Sequence, residues 1–246
     1  MKTRHVLVAL AAVSLAVSSA VLAAQAVPPA VTAAVADPAR PQADKDRDAM
    51  RRPAAMMAAS GIKAGDKVIE LAPGGGYVTR LLSKIVGPTG KVYAANLPSF
   101  NEKMKGGPIA VTSNPAYSNV TIIEMPYSEL KAPEPVDVVW TSENYHDFKN
   151  MGQFRVDTNA MNRAVLAALK PGGRYIVTDF TAQPGVGLRD TQMLHRIDPE
   201  IIRMEVLAAG FMLEGTSNAL AHPEDPRTAR QDQNSDQVYF IFRKPG

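Results

Sequence analysis

Cysteine is absent from the 246 residues. That one absence removes disulfide frameworks, cysteine-ligated zinc, iron–sulfur clusters and thiol catalysis together. It also removes the lipid-modified cysteine that tethers some exported chains. Charge of one sign is missing too: the formal net charge is +3, and no basic run exceeds the pair Arg51-Arg52. No nucleic-acid surface is expected from such a balance. Aromatic residues are sparse at 6%, and the single tryptophan, Trp140, sits inside an apolar run that reads as core. Internal repeats are not seen. What remains, 46% hydrophobic and 21% charged, is the composition of a globular protein and excludes collagen-like, coiled-coil and wholly disordered chains.

The amino terminus reads as an address. Lys2, Arg4 and His5 precede an uncharged stretch, rich in Ala and Ser, from Val6 to about Ala23, and Ala24-Gln-Ala26 closes it. A cationic start, an apolar middle and small residues at alternate positions form the pattern of a secretory signal peptide over residues 1–26. The alternative is an uncleaved anchor, since the apolar run is about long enough to span a bilayer. Cleavage of a Sec-type signal is the expectation, which places the protein in the periplasm or outside the cell with no stable membrane insertion. The only paired arginines lie far beyond the apolar run, so a twin-arginine signal is not supported. Residues 27–45, rich in Ala and Pro, read as an extended linker. Residues 46–246 are long enough for a single domain.

Within that domain strands alternate with helices. Lys67-Val-Ile-Glu-Leu71 is a short apolar run ending in the turn cluster Ala72-Pro-Gly-Gly-Gly76. Val78, Leu81, Leu82 and Ile85 then fall on one helical face, and Gly87-Pro88 stops the helix. Lys91–Asn96, Val120–Glu124, Val136–Thr141 and Tyr175–Asp179 supply further strands, with a helix through Met161, Val165 and Leu169 between the last two. Asp198-Pro199 caps a helix that ends at Gly210, and strands over 211–216 and 238–243 close the chain. This order predicts an α/β, doubly wound, mostly parallel sheet covered on both faces.

A glycine turn between a first strand and a helix N-terminus is where such a sheet binds a ligand. Glycines admit a close backbone approach, and the free amides favour anionic groups. A dinucleotide fingerprint would want a third glycine near Tyr77 and an acid where Asn96 ends the second strand. Neither is present.

The stretch Glu70-Leu-Ala-Pro-Gly-Gly-Gly76 resembles instead the first motif of class I S-adenosylmethionine-dependent methyltransferases, with Ala72 in place of the usual first glycine. Gly90–Asn96, Asn119–Ile123, Val136–Thr141, Leu169–Gly173 and Ala208–Phe211 agree in order and spacing. Asn144-Tyr-His-Asp147 and Leu194-His-Arg-Ile-Asp198 are similar, more narrowly, to a group of exported predicted methyltransferases. The resemblance runs from about Arg47 to Lys244. It implies a Rossmann-like methyltransferase fold of seven strands with an antiparallel C-terminal hairpin. S-adenosylmethionine is the cofactor implied, with contacts from Glu70, Ala72, Gly74, Gly75, Gly76, Asn96 and Ser142. In the family an acid ends the second strand and binds the ribose; Asn96 stands there without a charge. A second acid usually meets the adenine amino group, and Pro126 falls at that position, with Glu124 and Glu129 nearby as substitutes.

The polar stretch Thr141–Phe148, directly after the fourth strand, faces the transferred methyl in that family. His146 is the candidate base, because an unperturbed imidazole titrates near neutrality. Glu143 or Asp147 would fix its tautomer, and Tyr145 would orient a substrate, so His146, Tyr145 and Asp147 form the candidate catalytic set. His195 reads as a packed residue; were it to approach His146, a paired base or a metal site would follow. Without cysteines or a His-x-x-x-His spacing, no metal is expected. The polar loop 218–236, which carries His222, reads either as disordered or as a lid.

Taken together, the expectation is methyl transfer from S-adenosylmethionine to an O or N nucleophile of a small-molecule acceptor, by in-line displacement. The alternative is a non-catalytic periplasmic ligand-binding protein on the same scaffold. Export and a cofactor made in the cytoplasm pull in opposite directions. Oligomeric state leaves no mark on the sequence.

Overall fold

The computed structural model describes residues 21–22, 26–100, 102–150 and 152–246. Most of the leader expected over 1–26 therefore lies outside the described residues. The strands are β1 (Val21–Leu22), β2 (Lys67–Leu71), β3 (Lys91–Asn96), β4 (Val120–Glu124), β5 (Val136–Ser142), β6 (Leu169–Phe180), β7 (Met212–Ser217) and β8 (Gln237–Arg243). The helices are α1 (Pro29–Val35), α2 (Gln42–Lys45), α3 (Asp48–Arg51), α4 (Pro53–Ser60), α5 (Tyr77–Val86), α6 (Glu102–Thr112), α7 (Tyr145–Phe148), α8 (Thr158–Ala168) and α9 (Pro199–Ala208).

One sheet runs in the order β1-β7-β8-β6-β5-β2-β3-β4. β2 pairs in parallel with both β3 and β5, while β8 alone runs antiparallel, against β6 and β7. Seven strands thus form the expected mostly parallel sheet with its antiparallel hairpin, and the two residues of β1 lengthen one edge beside Thr216 and Ser217.

Successive residues of a strand face opposite sides of a sheet, and here both sides are buried. Val68, Val92, Val138, Trp140 and Ile176 belong to one hydrophobic core; Ile69, Tyr93, Val139, Tyr175 and Val177 belong to the other. This explains why the central strands read as continuous apolar runs. Val78, Leu81, Leu82 and Ile85 turn the apolar face of α5 onto the first core, and Met161, Val165, Ile202 and Val206 bring α8 and α9 onto the second. The cap of α9 is as read: the Asp198 carboxylate accepts from the Glu200 amide at 3.1 Å, with Pro199 in the first turn.

Three elements differ from the sequence reading. Residues 27–45 are not an extended linker. Pro29 starts α1, whose fixed φ suits a first helical position, and Val31 and Ala34 are each 1% exposed in the core beside α5. Small residues at i and i+3 were enough to form a packed face, which Ala/Pro composition disguised. α6 was not expected, because Gly106-Gly-Pro108 sits in its middle. There a Cβ on Gly107 would come within 1.9 Å of the Gly74 carbonyl oxygen, so glycine lets α6 close against the β2 turn. Finally, loop 218–236 is tied down. Arg196, 1% exposed, donates to Asp225, Ser235, Ala229 and Thr181 from the centre of it.

Among the described residues no helix is long and apolar enough to cross a membrane.

Candidate active site

Strand order reverses between β2 and β5: β3 and β4 lie to one side, β6 and its neighbours to the other. Loops leaving the carboxyl ends of β2 and β5 must therefore diverge, and the crevice between them is where open α/β sheets bind ligands. A cavity of about 160 Å³ occupies that place, lined by Glu70, Ala72, Gly74, Gly75, Ser142 and Glu143 among others. Of the seven expected cofactor contacts, Glu70, Ala72, Gly74, Gly75 and Ser142 line it. Gly76 does not; it turns the chain into α5 at φ +80°, against Val111 and Arg80. Asn96 ends β3 level with the turn, 1% exposed, and its side-chain oxygen has no hydrogen-bond partner.

The two loops are tied together. Asn144 Nδ2 donates to the carbonyls of Ala72 at 3.2 Å and Ser142 at 2.7 Å. Tyr127 braces the turn from below: its hydroxyl accepts from the Ala72 amide and donates to the Ala95 carbonyl, each at 2.8 Å. Held this way, Ala72 adopts φ +51°, a conformation that suits glycine better. A side chain in this left-handed region costs roughly 1–2 kcal/mol. A methyl added to Gly74 or Gly75 would meet nothing within 4 Å, so the turn borders open space.

Cations roof the cavity. Arg51 pairs with Glu143 at 2.6 Å and donates to Ser142 Oγ at 3.3 Å. The guanidinium carbons of Arg40, Arg47 and Arg51 lie 5.3, 5.6 and 4.7 Å from the Tyr77 ring centroid. Tyr77 in turn donates to Asp48, which also holds Arg40. Arg47 and Arg51 were not read as site residues, although they stand four apart, one helical turn, ahead of the glycine motif. Glu70 lies beneath, its carboxylate accepting from Thr79 Oγ1 at 2.6 Å. Burial pushes the Glu70 carboxyl up to about 7, against the lowering pull of Thr79, Arg51 and Arg80.

Directly after the cavity lining, α7 delivers a second group of polar side chains. His146 is 2% exposed, and its Nδ1 faces Asp179 Oδ1 at 2.7 Å. Asp179 is itself fixed by the amides of His146 and Phe180. His146 Nε2 meets His195 Nδ1 at 3.1 Å and Asp147 Oδ1 at 3.3 Å. The partner expected to fix the imidazole was Glu143 or Asp147. Asp179, at the end of β6, holds Nδ1, while Asp147 stands at Nε2 and Glu143 turns to Arg51. Burial alone would lower the His146 pKa, but the flanking Asp179 and Asp147 outweigh it and push it up to about 10. The two carboxylates favour a proton on the ring while, among the described residues, no cation stands beside Nε2.

Tyr145 is not placed to orient a substrate, contrary to its reading from sequence. It is fully buried, its hydroxyl bonded to Glu205 and Asn162, and it offers nothing to a substrate. Asp147 keeps its place beside both histidines. His195, read as a packed residue, joins them because Ile197 pairs with the end of β6 through the Phe180 carbonyl. It sits at φ +52° with its side chain 24% exposed, and burial lowers its pKa, helped by His146 and Arg230 and opposed by Asp147.

No protein-family model matches the chain. Over 128 residues it is 32% identical to the ubiquinone/menaquinone biosynthesis C-methyltransferase UbiE of Ectopseudomonas mendocina, covering 51% of this chain and 46% of that one. The chain spans about half the length of the curated relatives it matches. Among solved structures it is similar to a SAM-dependent methyltransferase from Aquifex aeolicus, with a TM-score of 0.57 and 18% identity, over 82% of this chain and 98% of that one. An S-adenosylmethionine-dependent methyltransferase from Mesorhizobium loti gives a TM-score of 0.55 at 20% identity, over 77% and 95%. The fold is that of the class I methyltransferases.

The buried carboxyl makes a testable case. With its pKa raised to about 7 in the folded chain, Glu70 holds its proton in the native state after the unfolded chain has lost it. Stability should therefore fall as pH rises from about 4.5 to 7, by about 3 kcal/mol at most, and stay level above. Urea midpoints of wild type and Glu70→Gln at pH 5 and pH 8 check this. The variant is expected to gain on wild type at the higher pH, and parallel pH curves would contradict the assignment.

Proposed function

We propose that this chain transfers a methyl group from S-adenosylmethionine to an oxygen or nitrogen nucleophile of a small molecule, in the periplasm or after secretion. The observation that carries the reading is the cavity at the reversal of strand order, between the glycine turn after β2 and the Ser142–Asn144 turn after β5. Likeness in fold and in half of the sequence to methyltransferases supports it.

The residues present fit the cofactor. Arg51 Nε and Asn96 Oδ1 are both buried without a partner, and unmet polar atoms of this kind call for a ligand or water. Arg47 and Arg51 would hold a carboxylate, Glu70 would face an ammonium group, and Asn96 would bond a ribose hydroxyl. Gly74 and Gly75 would let the backbone approach, and Ser142 would close the side of β5. When bound, S-adenosylmethionine supplies an electrophilic methyl on a sulfonium.

The remaining work is positioning. The cross-link from Asn144 to Ala72 fixes one loop against the other, and alignment of reactants is worth several orders of magnitude in rate. Asp147, three residues past the cavity lining, and His195 beside it are partly exposed and are placed to hold a protic acceptor, which favours oxygen or nitrogen over carbon.

Two measurements test the reading. Calorimetry of the full chain with S-adenosylmethionine and S-adenosylhomocysteine is expected to give one site. Gly75→Val, at a position with open space and no left-handed strain, should weaken it at least tenfold while the chain stays folded. Absence of heat at millimolar ligand, or unchanged affinity in the variant, would overturn the assignment. For the compartment, mass measurement of the exported protein should find Val27 at the amino terminus; an intact Met1 on a cytoplasmic chain would contradict it.

A further inference from the structure

We propose that His146, Asp147 and His195 form a binding site for a single divalent transition-metal ion of the zinc class. His146 Nε2, His195 Nδ1 and Asp147 Oδ1 lie 3.1, 3.3 and 3.3 Å apart. Zinc bonds nitrogen and carboxylate oxygen at about 2.0–2.2 Å, so two ligands of a tetrahedral ion stand about 3.3 Å from one another. The triangle has that size on all three edges. A point about 2 Å from each atom exists just off their plane.

Hydrogen bonding accounts for the cluster less completely. A single proton shared by two of the atoms leaves the third without one, and the three stand within 3.3 Å of one another. One cation satisfies them at once. Two imidazoles and a carboxylate are the borderline donor set that zinc, cobalt and nickel share, whereas magnesium and calcium prefer oxygen.

The surroundings complete a metal site. The other ring nitrogen of His146 is held by Asp179 at 2.7 Å, an arrangement that fixes the ring and aims Nε2. Asp179, wholly buried, receives two backbone amides. Asn150 donates to Asp147 Oδ1 at 3.1 Å and orients it. Three protein ligands leave a fourth position for water or a substrate oxygen, on the side where His195 and Asp147 are 24% and 19% exposed. His146 and Asp147 follow Ser142 and Glu143, which line the cavity, by no more than five residues, so an ion there would sit beside the cavity on the β5 side. The inference stands independently of methyl transfer.

The test is titration of the metal-stripped full chain with Zn²⁺ and, separately, Co²⁺. One equivalent of each is expected to bind, and cobalt should develop the intense visible bands of a four-coordinate site. His195→Gly keeps the left-handed backbone that this position requires and should lose binding at least a hundredfold. Asp179→Asn should weaken it ten- to a hundredfold while sparing the three ligands. His222→Ala serves as control and should bind as wild type does. Failure of wild type to take up either ion, or equal uptake by His195→Gly, would overturn the site.

Discussion

Everything at this site depends on the reversal of strand order between β2 and β5. Parallel strands that wind outward from a common point send their next loops in opposite directions, and the gap so formed cannot be filled by the sheet itself. Glu70 and Ala72 reach it from one side, Ser142 and Glu143 from the other. The backbone bends sharply to frame it. Ala72, Glu143 and His195 all stand at positive φ without being glycine, at +51°, +58° and +52°. Strain of this kind persists only where surrounding contacts over-determine the chain. Here the contacts are the Tyr127 hydroxyl, the Asn144 amide and the Arg51–Glu143 pair.

The amino-terminal helices cover one side of the site. α1 and α4 pack through Val31, Ala34, Met56 and Met57 onto the α5 face of the sheet. That anchorage carries Arg47 and Arg51 over the glycine turn. A buried guanidinium bonded to a carboxylate is costly to strip of its partner, so the Arg51–Glu143 pair holds α3 against the turn after β5. The same pair links the roof to the β5 loop, and through α7 to the histidine cluster.

Much of this was legible in the sequence. Strand and helix order, the glycine turn and the cap at Asp198 depend on local periodicity and turn chemistry, which a linear reading captures. Five of the seven expected cofactor contacts line the cavity for the same reason. The failures share another cause. Asp179 fixes His146, and His195 joins it, across 33 and 49 positions of chain, a proximity that only the sheet register creates. Tyr145 reads as polar because its neighbours are, yet helical geometry in α7 turns it into the core. α1 was hidden by composition, and α6 by a Gly-Gly-Pro triplet whose small size serves the contact with Gly74.

The central claim is that the turn at residues 72–76 and the turn at 142–144 take one nucleoside ligand between them. Hydrogen exchange of the backbone amides, with and without saturating S-adenosylhomocysteine, tests it directly. The account predicts that amides of both turns, together with those around Arg47 and Arg51, slow their exchange in concert while β7 and β8 are unchanged. Protection confined to some other part of the molecule, or none at all, would contradict it.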